Sequence, residues 1–109
     1  MVNNQIILLK FIQTNDNVDW VSISCYYELS ENFIREFKKK IYWPNISYYQ
    51  KLSEKFIKEF EDKVNWTCIS YGQKLSENFI KEFKYKVNFD LILEYQTLSE
   101  NFKKNLNMN

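Results

Sequence analysis

Counting along the chain in steps of 23 residues brings tryptophan onto tryptophan: Trp20, Trp43 and Trp66 are evenly spaced, and Phe89 follows at the same interval. Ile23, Ile46, Ile69 and Ile92 keep the step, as do Leu29, Leu52, Leu75 and Leu98, and Phe33, Phe56, Phe79 and Phe102. A Ser-Glu pair follows each of those leucines. The unit reads W-x-x-I-S-x-x-x-x-L-S-E-x-F-I-[KR]-E-F-x-x-K-[IV]-x; three copies fit well and a fourth in part. No single copy is long enough to bury a core of its own, so the copies must stack on one another.

Each copy carries two helix-start signals. Ser30, Ser53, Ser76 and Ser99 are N-cap residues followed by a first-turn Glu, with a leucine before the cap placed to staple onto the helix. Phe33, Ile34, Phe37 and Ile41 then form one apolar stripe, which predicts a helix reaching about Lys40. Asp19, Asn65 and Asn88 occupy a second cap position, ahead of a shorter helix bearing Trp, Ile and Ser on one face together with Tyr27 in the first copy. Tyr42 is a poor residue at that position, but Pro44 follows in the first turn, where its missing N–H costs nothing. The serine after Ile23, Ile46 and Ile69 is small enough to let two short helices approach closely.

The expected fold is all-α: a short α-solenoid of helix-turn-helix hairpins with a 23-residue repeat. Residues 1–17 read as an N-terminal capping helix, about Gln5 to Gln13, and a polar connector. Residues 18–109 read as the array, in segments 18–40, 41–63, 64–86 and 87–109, the last a C-terminal cap in which Lys103 and Asn105 replace the usual Ile and Glu. A leucine-rich coil has a similar period, but its tight turns call on glycine, and Gly72 is the only one present.

Chemistry is short of parts. The chain has no His, which removes the commonest general base and metal ligand. Cys25 and Cys68 form no C-x-x-C pattern, lack an activating partner and stand at variable positions, where Tyr48, Tyr71 and Asn45 stand in other copies. The paired glutamates, such as Glu31 with Glu36, each have a cation four residues on and read as a solvated, salt-bridged helix face. No catalytic residue, metal site or cofactor is expected, and an enzyme is not. Fifteen basic against fourteen acidic residues leave a net charge of +1, too little for the broad positive field of a nucleic-acid binder. The apolar run Ile6–Leu9 is too short for a signal or spanning segment, so the chain reads as soluble and cytoplasmic.

Tyrosine is the informative residue. Tyr26, Tyr48, Tyr49, Tyr71 and Tyr95 fall on the outward face expected for the short helices, where stacking would align them along one surface. Rigid amphipathic rings are enriched at binding hot spots, so these five are the candidate partner-binding residues, the partner being a protein or a second copy of the chain. The competing reading, one base of single-stranded nucleic acid per helical repeat, would use the same variable positions as a code.

The stretch Trp66 to Phe83, W-T-C-I-S-Y-G-Q-K-L-S-E-N-F-I-K-E-F, resembles the short tandem repeats of uncharacterised proteins from giant DNA viruses, and the likeness covers residues 18 to 106. The abundance of Asn, Lys, Ile, Phe and Tyr, with no Ala, is similar to what AT-rich genomes encode. The resemblance implies a viral protein at work in the host cytoplasm and carries no catalytic residue with it.

Overall fold

The computed structural model describes residues 4–107; the first and last residues of the expected segments, 1–3 and 108–109, lie outside the described residues. Among the described residues there are nine helices and no strand: α1 (Asn4–Thr14), α2 (Trp20–Tyr26), α3 (Glu31–Glu36), α4 (Trp43–Tyr49), α5 (Glu54–Glu59), α6 (Trp66–Gly72), α7 (Glu77–Glu82), α8 (Phe89–Tyr95) and α9 (Glu100–Asn107). After α1 they form four pairs of like construction, drawn out into a body 55 × 29 × 20 Å. None is long and apolar enough to cross a membrane.

Helices of six or seven residues are too short to persist alone, so caps and packing must hold them. The caps fall where the sequence places them. The Oγ atoms of Ser30, Ser53 and Ser76 accept from the N–H of Phe33, Phe56 and Phe79 at 3.1–3.2 Å. Asp19, Asn65 and Asn88 accept in the same way from Ser22, Cys68 and Leu91. Tyr42 gives α4 no side-chain cap, and Pro44 stands in the first turn.

The packing is periodic too. Ile34, Ile46, Phe56, Ile57, Ile69, Ile80 and Ile92 are completely buried, each such side chain contributing about 1.5–3 kcal/mol of transfer free energy. The tryptophans are only half-buried, and each indole lies against a phenylalanine of its own pair. Trp43 sits 5.3 Å from Phe60, and Trp66 sits 5.1 Å from Phe83. Each of these two indoles also donates to a carbonyl of the pair before it, that of Lys38 or Glu61. α2, α4, α6 and α8 contact one another in chain order.

Two local expectations are corrected. In the first three pairs the second helix ends at Glu36, Glu59 or Glu82, short of the predicted Lys40 or its equivalents. The carbonyl of Phe37 accepts from both Lys40 and Ile41 N–H, so a turn delivers Ile41 to the core where another helical turn was expected. Lys38 to Lys40 offer nothing apolar that would reward a continued helix. Tyr27, expected on the inward face, is 46% exposed at the end of α2.

The ion pairs are also rearranged. Apart from Glu31–Arg35 at 3.9 Å, the expected pairs four residues apart are not formed among the described residues. Arg35 instead reaches forward to Glu59 at 3.0 Å, and Lys58 to Glu82 at 2.8 Å. The first-turn glutamates are held elsewhere: Glu31 accepts from the N–H and Oγ of Ser53, Glu54 from Ser76, and Glu77 from Ser99. At the start of the chain α1 supplies the equivalent group, since Gln5 Oε1 accepts from Ser30 N–H at 3.0 Å.

Candidate functional site

The short helices place their sixth and seventh residues on one outer face, and four of the five candidate tyrosines meet there. Tyr48 of α4 and Tyr71 of α6 stack with ring centroids 4.8 Å apart and planes 16° from parallel, their hydroxyls 3.5 Å apart. Tyr49 meets Tyr48 edge-on at 4.6 Å, and Tyr95 meets Tyr71 edge-on at 4.8 Å. Tyr26 is on the same side but 80% exposed and makes no ring contact among the described residues. The row is therefore Tyr49, Tyr48, Tyr71 and Tyr95, with Tyr26 as an outlier at its edge.

Side-chain volume decides the arrangement. The seventh residue of one short helix abuts the sixth of the helix before it, so Tyr49 lies beside the small Cys25. Gly72 lies under Tyr48, where an added Cβ would sit 2.6 Å from the ring and 2.8 Å from the Tyr48 carbonyl oxygen. The one glycine thus stands where the stack needs space.

The electrostatics of the row are those of close phenols. The hydrogen bond with Tyr71 raises the Tyr48 phenol above its ordinary value of 10.0, and the neighbouring phenol groups push the same way. Tyr49 is raised by the Cys25 thiol, first through its charge and then through a hydrogen bond. Neutral phenols are the favoured form, presenting donors and acceptors on an apolar ledge.

Beneath the row lies a polar bracket that periodicity reasoning missed. Gln50 and Gln73 are 4% and 7% exposed. Gln73 Nε2 donates to the carbonyls of Ser47 and Gln50 at 2.8 and 2.6 Å, and its Oε1 accepts from Leu52 N–H at 3.2 Å. Gln50 and Gln96 repeat this one pair earlier and one pair later. The buried serines work beside them: Ser24 Oγ donates to the Trp20 carbonyl and accepts from Tyr42 N–H, while Ser47 and Ser70 accept from Asn65 and Asn88. The signal that could have found the bracket was an amide recurring in three copies on the face that must be buried.

The remaining chemistry-bearing groups do not converge. No group of three or more Cys, Asp or Glu side chains is placed to hold a metal ion among the described residues. Burial pushes the Cys68 thiol up, which disfavours the thiolate a nucleophile needs. Glu31, Glu54 and Glu77 are occupied at serine caps. No protein-family model, curated protein or solved structure matches this chain significantly, and its functional reading rests on its own residues.

Proposed function

We propose that the chain is a short α-solenoid of 23-residue helical hairpins acting as a non-catalytic scaffold, which binds a protein partner through the tyrosine row of its short helices. The observation that carries this reading is the continuous contact of Tyr49, Tyr48, Tyr71 and Tyr95 on one outer face. Tyr49, Tyr71 and Tyr95 are 40–55% exposed, so a partner gains ring area that has already lost much of its rotamer freedom. The bracket below holds successive helices in register, which keeps the row pre-organised.

The test is selection of binders from a displayed peptide library on the intact chain, with the Tyr48→Ala/Tyr71→Ala double variant as comparison. Selected peptides should bind the variant at least about tenfold more weakly. Undiminished binding to the variant sinks the assignment. Retention of single-stranded DNA or RNA with a steep salt slope would favour the nucleic-acid reading instead.

A further inference from the structure

The last helix pair departs from the others at four positions that share one space. Phe89 stands where the earlier copies have Trp20, Trp43 and Trp66, and Leu106 stands where they have Phe37, Phe60 and Phe83. In those copies the indole and phenyl rings are in contact, for example Trp66 and Phe83 at 5.1 Å. Leu93 replaces the buried serine and is 46% exposed, with no hydrogen bond to offer. Asn105 replaces the glutamate that receives the preceding cation.

The result is a cavity of about 750 Å³ at the end of the body, floored by Ile80, Phe89, Leu93, Phe102 and Leu106 and lined also by Lys81 and Lys84. That size and apolar character suit a small organic ligand. Its charge is one-sided. Arg35 and Lys58 both find carboxylates one copy ahead, at 3.0 and 2.8 Å. Lys81, which holds the same position, makes no ion pair among the described residues, and its ammonium lies 5.7 Å from the Phe102 ring centroid. Lys84 is likewise without a carboxylate, 5.1 Å from the Tyr85 ring centroid. The indoles of Trp43 and Trp66 donate to the Lys38 and Glu61 carbonyls; the corresponding Lys84 carbonyl has no indole facing it, because the Phe89 ring carries no N–H.

We propose that this cavity is a binding site for a small planar aromatic carboxylate. The ring takes the volume that the indole and phenyl fill in the other copies, the carboxylate meets Lys81 in place of the missing glutamate, and a ring N–H, where present, faces the Lys84 carbonyl. The site is separate from the tyrosine row and does not depend on it.

The probe is indole-3-acetate, titrated into the full chain by calorimetry and by ¹⁵N–¹H correlation spectra. Saturable binding is expected, with shifts concentrated on residues 80–106. Indole-3-acetamide, which lacks the charge, and the Lys81→Met variant should each weaken it about tenfold or more. The Phe89→Trp/Leu106→Phe variant restores residues that three other copies already carry, and it should abolish binding while remaining folded. Equal affinity for the amide, unchanged binding to either variant, or no saturable binding overturns the proposal. So does sedimentation showing a dimer that dissociates when the cavity is filled, since the occupant would then be a second copy.

Discussion

Gln73 shows how much one polar side chain can hold in a stack of this kind. Its amide satisfies two carbonyls and one N–H, all belonging to the preceding pair, and it is nearly inaccessible to water. Gln73→Leu keeps the volume but strands three buried polar groups, and a loss of about 3 kcal/mol is expected in urea denaturation. A loss below 1 kcal/mol would mean that water replaces the amide. Gly72 makes the opposite case, a residue whose worth lies in what it lacks. Alanine is the better helix former by about 1 kcal/mol, yet its Cβ would meet the Tyr48 backbone as well as its ring. Gly72→Ala should therefore cost about 1–2 kcal/mol net and weaken the tyrosine near-ultraviolet circular dichroism. The role of Gln73 is long-range in sequence, with partners 21 to 26 residues away. No local rule for amide side chains points there, whereas the tyrosine row was legible because its members sit at matching positions of matching helices.

At the level of the helix, what sequence reasoning recovered and what it missed divide by the range of the interaction. Caps are local: a side chain three residues from its target N–H either has an oxygen or does not, and Ser30, Asn65 and Asn88 were readable on that ground. Glutamate pairing is a competition, and the local option lost. Glu54 can reach Lys58 on its own helix, but Ser76 offers it an N–H and a hydroxyl at 2.7 and 3.0 Å, while exposed pairs four residues apart contribute only about 0.3–0.5 kcal/mol. The end of α3 was missed for a related reason, since the stripe of Phe37 and Ile41 fits a helix or a helix followed by a turn equally well. Among the described residues, α4 is the one helix after α1 that lacks a side-chain cap. Tyr42→Asn supplies the oxygen that Asn65 and Asn88 use in later copies, and it should raise stability by about 0.5–1 kcal/mol. A thermal melt that is unchanged or lower would show that the Tyr42 ring contributes more than a cap would.

Across the whole molecule the links between pairs are partly electrostatic, so their strength depends on pH in a direction that can be worked out. The Arg35 guanidinium, through its hydrogen bonds and then its charge, holds the Glu59 carboxyl below its ordinary value of 4.5. The Ser22 backbone N–H, and then the Ser22 hydroxyl, lower Asp19 from 3.8. A depressed carboxyl adds stability above its unfolded value and loses that stability as pH falls through the folded one. The phenols act in the opposite range. Tyr48 and Tyr49 are raised above 10.0, so their contribution is complete below that value and fades as pH climbs past it. All four groups are at the surface, and the slopes should be shallow and flattened by salt. Melting temperature should thus hold a plateau near neutrality, fall below about pH 4.5, and fall again above about pH 10. Glu59→Gln keeps an acceptor for Arg35 but cannot titrate, so it should reduce the acid slope and leave the alkaline one unchanged. Tyr71→Phe removes the hydroxyl that Tyr48 bonds and should do the reverse. If Glu59→Gln leaves the acid limb as steep as before, the pairs are held together by the amide bracket and the buried isoleucines, and the ion pairs between copies serve only to set their register.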